Sequence, residues 1–251
     1  MRAILSDIHA NAYALEAVLE DINQHDVSEI ICLGDFIGYG PEPKRCIDLA
    51  MDFDIALQGN HEQALLVQME GATFNVKAKS SIDWTRRQLD MLSEDREENR
   101  PRWDFLGGLR EYYEEDEKCF VHGSPRDYIA EYIYPRDIYR PDKLHDVFSM
   151  IERVCFVGHT HVPGVWTDDM VYMTPKEVNY YYQFTEEKRT LVNVGSVGQP
   201  RDGDLRASYV LLEGDEITFR KVSYPLKKTV EKIRNIPELD PFLAERLLQG
   251  R

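Results

Sequence analysis

RAILSDIHANAYALEAVLEDINQHDVSEIICLGD, residues 2–35, contains the pattern that decides the fold. Two short apolar runs, RAIL and EIICLG, have the composition of strands that are buried on both faces. Between them, Asn11 is a candidate N-cap for a helix whose apolar face is formed by Leu15, Val18, Leu19 and Ile22. A second helix is predicted to begin between Pro41 and Pro43 and to lead to a third strand. The order β-α-β-α-β predicts a parallel sheet with helical crossovers.

The rest of the chain changes character twice. Residues 62–118 are predicted to be mainly helical, and the charged stretch Ser93–Arg100 is predicted to be a solvated face or loop. After His161 the pattern is β-rich, with hairpins over residues 164–173 and 207–224, a strand within residues 189–198, and strand residues at Tyr180, Tyr181 and Tyr182. Residues 226–251 form a helical tail that is broken near Pro237 and Pro241. No repeat or linker interrupts the chain, so we expect one domain over residues 1–251.

Composition excludes several classes of protein. The formal net charge of −15 repels phosphate backbones, so long nucleic acids are not expected as partners, whereas a small phosphorylated substrate is compatible with a local site. The chain has no signal peptide and no run of about 18 apolar residues, so we expect no membrane association and a cytoplasmic location. The four cysteines lack CxxC spacing and are interpreted as buried free thiols. The oligomeric state has no readable signal in the sequence.

Polar side chains able to bind metal follow five apolar runs. They are Asp7-x-His9, Gly34-Asp35, Gly59-Asn60-His61, His122-Gly123 and Gly158-His159-x-His161. Five of the seven histidines fall in this set, and His25 and His145 are interpreted as ordinary histidines outside it. Imidazole combined with carboxylate and amide oxygen suits Mn, Fe, Zn, Ni or Co. Two such ions about 3.5–4 Å apart can clamp the attacking and leaving oxygens of an in-line displacement.

Taken in this order, the motifs resemble those of the calcineurin-like metallophosphoesterase superfamily. The strings GDFIGYGPEPKRCIDL, VHGSPRD and NVGSVGQPRDGD resemble its small bacterial and archaeal phosphoesterase branch. The resemblance spans about residues 1–212 and leaves the tail unaccounted for. It implies an α/β fold in which a two-sheet β-sandwich is flanked by helices in four layers (αββα), with a dinuclear metal site at the carboxyl ends of the strands.

The resemblance also implies roles for individual residues. One divalent transition metal ion would be bound by Asp7, His9, Asp35 and His161, and the second by Asp35, Asn60, His122 and His159, so that Asp35 bridges the two. A metal-bridging hydroxide would attack phosphorus. His61 would contact a phosphoryl oxygen or protonate the leaving group. Taken alone, each of these residues also has a structural interpretation, such as a capping aspartate or a core histidine.

The implied function is metal-dependent hydrolysis of a small phosphomonoester, phosphodiester or nucleotide. A protein serine/threonine phosphatase is an alternative, favoured by Glu62 in GNHE and disfavoured by Gly38-Tyr39-Gly40, which replaces the phosphate-binding arginine of GDxVDRG. Two further functions are compatible with the motifs: hydrolysis of dinucleoside polyphosphates, and a non-catalytic, metal-binding scaffold.

The substrate-binding side of the site is less determined by the sequence. Candidate substrate contacts are Asn11, Arg126 and Arg201, and their structural interpretations are a helix cap, an ordinary surface ion pair and a pinned turn. Residues 124–142 and 167–190 are predicted to set the width of the pocket.

Overall fold

The computed structural model describes residues 1–67 and 76–251, and these residues contain twelve strands and eight α-helices. The strands are β1 (Arg2–Leu5), β2 (Glu29–Cys32), β3 (Ile55–Ala56), β4 (Tyr112–Glu115), β5 (Lys118–Val121), β6 (Val154–Val157), β7 (Gly164–Thr167), β8 (Val171–Met173), β9 (Tyr181–Gln183), β10 (Thr190–Asn193), β11 (Ala207–Glu213) and β12 (Glu216–Val222). The helices are α1 (Ala12–Ile22), α2 (Pro43–Ala50), α3 (Asn60–Val67), α4 (Val76–Gln88), α5 (Arg96–Gly107), α6 (Pro141–Ser149), α7 (Leu226–Arg234) and α8 (Pro241–Gln249), and a 3-10 helix covers Pro135–Tyr139.

The strands form two mixed sheets of six strands each. The first sheet has the order β3-β2-β1-β11-β12-β9, and its β1, β2 and β3 are parallel, as predicted from the opening of the chain. The second sheet has the order β4-β5-β6-β10-β7-β8, with β5, β6 and β10 parallel. The predicted hairpins are confirmed as the antiparallel pairs β7–β8 and β11–β12. The parallel strands of each sheet direct their carboxyl ends to one edge, where ligands bind in such sheets.

The two sheets pack face to face over a shared apolar core, and helices cover their outer faces. Buried side chains from both sheets fill this core, among them Ile4, Ile31, Phe120, Phe156, Val192 and Val210. Helices α1 and α2 pack on the first sheet, and α6 packs on the second through Leu144, Val147 and Phe148. Burial of this apolar surface is the main favourable term that holds the layers together. The predicted four-layer αββα architecture is confirmed.

Two predicted segments differ in detail. Within residues 62–118, Tyr112–Glu115 form strand β4 rather than a helix, because a tight turn at Asp116 and Glu117, both with positive φ, folds β4 back onto β5. Residues 68–75 of that segment lie outside the described residues. Tyr180 precedes β9 in a left-handed turn conformation with φ of +61°, so only Tyr181 and Tyr182 of the three tyrosines are strand residues.

The charged stretch Ser93–Arg100 is mostly exposed, as predicted, although its second half forms the first turn of α5. The four cysteines are buried and free, which confirms their interpretation. Across residues 1–67 and 76–251, none of the helices combines the length and the apolar character that crossing a bilayer requires.

The tail forms helices α7 and α8, which pack against each other and against the middle of the chain. Their apolar side chains, including Val230, Ile233, Leu243 and Leu247, enclose the ring of Tyr39. Thr229 donates a hydrogen bond to Asn11 Oδ1 at 2.9 Å. Asn11 caps α1 by accepting from Ala14 N, so the predicted N-cap is confirmed. The tail therefore lies beside the loop that follows β1.

Candidate metal centre

Five loops bring the predicted metal ligands together. The loops follow β1, β2 and β3 of the first sheet and β5 and β6 of the second, at the edge to which the parallel strands point. Asn60 is half-buried, and the other candidate ligands are at most 4% exposed; these are Asp7, His9, Asp35, His122, His159 and His161. His25 and His145 belong to no group of possible metal ligands among the described residues.

The first group consists of Asp7, His9 and His161. The Oδ1 atom of Asp7 lies 3.2 Å from Nε2 of His161 and 3.7 Å from Nε2 of His9. The two Nε2 atoms are 3.1 Å apart. Three donor atoms of suitable type thus face one point, which is the arrangement that a bound cation requires.

The second group consists of Asp35, Asn60, His122 and His159. Nε2 of His122 lies 3.4 Å from Asp35 Oδ2, 3.1 Å from Asn60 Oδ1 and 3.0 Å from His159 Nδ1. Asp35 also reaches the first group, because its Oδ2 is 3.6 Å from Nε2 of His9. A single carboxylate therefore lies between the two groups.

Backbone carbonyls fix the tautomers of the four histidines in these groups. A carbonyl oxygen can only accept a hydrogen bond, so the ring nitrogen facing it carries the proton. The nitrogen–oxygen distances are 2.6 to 3.2 Å, from His9 Nδ1 to Ile37, His122 Nδ1 to Leu33, His159 Nε2 to Ala130 and His161 Nδ1 to Gln199. The remaining ring nitrogens face one another and the carboxylates, where a proton or a metal cation can be shared between them. Ligating histidines characteristically show this outer hydrogen bond, and the residues therefore fit a metal centre.

The electrostatics of the cluster agree with this geometry. Burial alone would raise the pKa of Asp7 and Asp35, but the facing imidazoles, chiefly His161 and His122 respectively, lower both below their ordinary values. Burial lowers the pKa of His159 and of His161 to about 3 each. Burial would also lower the pKa of His122, yet the Asp35 carboxylate raises it to about 9. A proton on His122 thus supplies positive charge to the metal-free cluster, and a binding cation must displace it.

Five of the candidate ligands have a left-handed backbone. The φ angles are +55° at Asp7, +46° at His9, +57° at Asp35, +64° at His159 and +62° at His161. Such a conformation costs a non-glycine residue about 1–3 kcal/mol. Hydrogen bonds from Asp7 N to Gly34 O and from His9 N to Asp35 O, at 3.0 and 2.9 Å, hold the first two loops together. The strained residues lie where the donor atoms converge, as is typical of functional sites.

His61 lies on one side of the two groups. Its backbone N–H donates to Asp35 Oδ1 at 2.9 Å, and its Nε2 lies 4.0 Å from Asp35 Oδ2. Burial lowers the pKa of His61 well below its ordinary value, so the ring is neutral near pH 7. A Cβ at Gly38, which has φ of +84°, would lie 2.0 Å from Nδ1 of His61, so this position requires glycine. With His9 and Asp35, His61 is also close enough to form a third possible ligand group.

Two tyrosines that sequence reasoning missed flank the centre. The ring of Tyr132 stacks on His159 with centroids 3.7 Å apart, and the ring of Tyr39 lies 4.6 Å from the rings of both His9 and His61. Tyr132 belongs to the segment 124–142 that was predicted to shape the pocket. Tyr39 lies in the Gly-Tyr-Gly string, where the only sequence signal was the absence of an arginine.

Glu62 is a further buried residue whose structural role the sequence did not reveal. Its carboxylate accepts three backbone N–H groups: Oε2 from Asp35 at 2.8 Å and Gly59 at 3.0 Å, and Oε1 from Ile37 at 3.2 Å. Burial and the nearby Asp35 charge raise the pKa of Glu62 to about 8. Glu62 therefore joins the loop that carries Asp35 to the loop that carries Asn60 and His61.

Replacing Glu62 by glutamine is expected to destabilise the metal-free protein by about 2 kcal/mol at pH 9, where the carboxylate is ionised, because one backbone N–H would then face an amide N–H₂ group. Denaturant unfolding followed by circular dichroism measures the change. Glu97→Gln is the matched control, since the Glu97 side chain is 77% exposed on α5. Equal stability of the Glu62 variant and the wild type would contradict a role in joining the loops.

The three candidate substrate contacts differ in their surroundings. Arg126 pairs with Glu131 and, at 3.1 Å, with Asp146, which favours its interpretation as a surface ion pair. The Asn11 side chain is engaged in the cap, in the bond from Thr229 and in a 2.9 Å bond from its Nδ2 to Gly198 O. Arg201 donates to Gln199 Oε1 at 2.7 Å and pins that turn, yet its Cζ also lies 5.9 Å from the centre of the Tyr39 ring.

Comparison with known proteins yields full-length matches. A model of the calcineurin-like phosphoesterase superfamily domain matches residues 1–216. An uncharacterised protein of Methanocaldococcus jannaschii is 36% identical over 261 residues, covering 100% of this chain and 98% of that protein. The crystal structure of a metallophosphoesterase from Sphaerobacter thermophilus is 34% identical, with a TM-score of 0.82 and coverage of 100% of this chain and 98% of that one. A hypothetical protein from Pyrococcus horikoshii, 20% identical with a TM-score of 0.75 and coverage of 100% and 99%, shares the fold.

Proposed function

Because the chain belongs to the calcineurin-like phosphoesterase superfamily, we propose that it is a metal-dependent hydrolase of small phosphate esters. The observation that carries this proposal is the set of four imidazoles whose outer N–H groups are fixed by backbone carbonyls. Their inner nitrogens, together with the carboxylates of Asp7 and Asp35, form a buried donor set that a proton or metal cation must complete. The substrate class is a phosphomonoester, a phosphodiester or a nucleotide.

We assign the candidate ligands to two sets. Asp7, His9, Asp35 and His161 would hold one ion, and Asp35, Asn60, His122 and His159 would hold the other, with Asp35 shared. The short distances between donor atoms within each group support this assignment. Mixed nitrogen and oxygen donors favour Mn, Fe, Zn, Ni or Co over Mg or Ca.

The chain's own residues would orient the substrate. Bound divalent cations supply Lewis acidity and lower the pKa of water so that it becomes a nucleophile near neutral pH. His61 is buried and its ring is neutral near pH 7. We therefore assign to it a hydrogen bond to a phosphoryl oxygen of the substrate, and not the role of the acid that protonates the leaving group. The rings of Tyr39 and Tyr132 exclude water from two sides of the histidine cluster. The contacts of α7 and α8 with Asn11 and Tyr39 support one domain over residues 1–251.

Loading the protein with Mn²⁺ and offering p-nitrophenyl phosphate and bis(p-nitrophenyl) phosphate tests the proposal. We expect turnover of at least one ester, loss of turnover after chelation, and recovery when Mn²⁺ is restored. The ratio of the two rates then reports monoesterase against diesterase preference. If neither ester is hydrolysed while two ions are bound per chain, a metal-binding scaffold replaces the proposed function.

A further inference from the structure

Helix α8 lies beyond the part of the chain that the family model matches, yet it packs against the centre. Its Leu243 and Leu247 belong to the same buried apolar cluster as Tyr39, whose ring is 4.6 Å from the rings of His9 and His61. The end of α8 is fixed by a 3.1 Å hydrogen bond from Gly203 N to Gly250 O. The tail is thus held against the loop that carries Arg201.

Arg201 and Arg246 of α8 are both half-buried. Arg201 Cζ lies 5.9 Å from the centre of the Tyr39 ring, and the bond between Gly203 and Gly250 holds the end of α8 beside the loop of Arg201. The charge of Arg201 acts on Arg246, and both charges act on the phenol of Tyr39. Burial and the neighbouring Arg201 lower the pKa of Arg246 to about 10, so Arg246 is still charged at pH 7. Two like charges held together in a partly desolvated place repel each other, and an anion bound between them would relieve that repulsion.

No Asp or Glu side chain in the described part of the chain supplies such an anion. Arg126 and Arg206 pair with carboxylates, whereas no Asp or Glu oxygen of residues 1–67 or 76–251 lies within 4.0 Å of Arg201 or Arg246. This holds although acidic residues outnumber basic residues by 45 to 30. Arg201 donates to Gln199 Oε1 and lies over the Tyr39 ring. Arg246 donates to Arg251 O at 2.8 Å and lies over the Phe242 ring. Each guanidinium keeps further N–H donors for a ligand.

The pair is adjacent to the histidine cluster. Arg201 N donates to His161 O at 3.2 Å, and the Arg201 charge is one cause of the lowered pKa of His161. Tyr132, which stacks on His159, also acts electrostatically on Arg246. The two arginines therefore lie where a group attached to a bound phosphate ester would extend.

We propose that Arg201 and Arg246 form an anion subsite beside the metal centre, which binds a second phosphoryl group of the substrate. The proposal rests on the proposed function and narrows its substrate class to compounds with at least two phosphoryl groups. The planar fork of arginine matches phosphate oxygens in bidentate geometry. The scissile phosphoryl group is assigned to the cations and His61, so the two further positive charges are available for a second anionic group.

Calorimetric titration of the Mn²⁺-loaded protein with ADP and AMP tests the subsite, because these ligands differ by one phosphoryl group. We expect the wild type to bind ADP more tightly than AMP, and Arg246→Gln to weaken ADP binding about tenfold while AMP binding changes less than about twofold. Arg246→Lys should retain part of the preference. Arg234→Gln, which removes an exposed charge from α7, is the matched control and should behave as wild type.

Equal weakening of ADP and AMP in Arg246→Gln, or no change in either, would overturn the subsite. An unchanged melting temperature of this variant shows that the tail is still folded, and Arg246→Lys provides a second variant if it is not. The same titrations in a His61→Ala background, in which turnover is expected to be slow, measure binding apart from hydrolysis, so the two proposals fail separately. A wild type that hydrolyses no ester but shows the Arg246-dependent preference for ADP loses the enzymatic function and keeps the subsite.

Discussion

Replacing His61 by alanine is expected to lower kcat by about 10²- to 10⁴-fold while the metal content of the protein stays at the wild-type level. His61 adjoins the ligand groups, and its backbone N–H donates to Asp35 Oδ1. Its neutral ring is assigned a hydrogen bond to a phosphoryl oxygen, so its removal is expected to slow turnover without removing a metal ligand. Steady-state kinetics on the better of the two nitrophenyl esters gives kcat, and elemental analysis gives the number of ions per chain.

His25→Ala is the control for this experiment, because His25 lies outside the cluster near Asp21. The structure also contains the opposite possibility, since His61, His9 and Asp35 are close enough to hold an ion together. Loss of an ion in step with the loss of activity would show that His61 is a ligand, and its assigned role in substrate binding would be wrong.

Replacing Asp35 by asparagine is expected to weaken Mn²⁺ binding by more than about 100-fold and to abolish turnover. Loss of a residue that merely orients a ligand already costs about 10- to 100-fold in metal affinity, and Asp35 reaches both groups. Asparagine preserves the acceptor for the His61 N–H, so the effect reports the missing charge. Titration with Mn²⁺ measures the affinity, with Asp52→Asn, which alters an exposed side chain, as the control.

A second readout of the Asp35 variant concerns the metal-free protein. The Asp35 carboxylate is the main cause that raises the pKa of His122 to about 9, against the effect of burial. Without it, burial prevails and that pKa should fall, which NMR titration of the imidazole resonances can follow. Two tightly bound ions in Asp35→Asn, or an unchanged pKa of His122, would show that Asp35 is not the shared carboxylate.

The sheets and the convergence of the cluster were predicted because both depend on patterns in short stretches of the sequence. A buried strand leaves a continuous apolar run, and the residue that follows it is fixed at the sheet edge once the strands are parallel. Asp7, Asp35 and His159 each follow such a run. For Asp7 and Asp35 the common edge followed from the β-α-β order, whereas the convergence of His159, which follows β6 of the second sheet, was implied by the resemblance to the superfamily.

The surroundings of the cluster depend on packing between distant segments, which no local pattern specifies. Arg246 was one charge on an amphipathic tail, and nothing in residues 226–251 indicates which helix face meets Tyr39. Strand β4 was missed because Tyr112–Glu115 is an edge strand with alternating exposed and half-buried residues, and its composition resembles that of the preceding helical segment. In the sequence, Glu62 was noted only as part of the GNHE motif. Its structural role was missed because its three partners are backbone N–H groups, which no sequence pattern identifies.

The left-handed backbone at five donor positions has a consequence for engineering. Glycine at any of these positions would relieve backbone strain of about 1–3 kcal/mol. It would also delete one donor atom and leave a void in a buried part of the protein, which is destabilising. Relief of backbone strain and retention of the donor atoms are therefore incompatible at these five positions. Substitutions that stabilise the protein must be made at other positions.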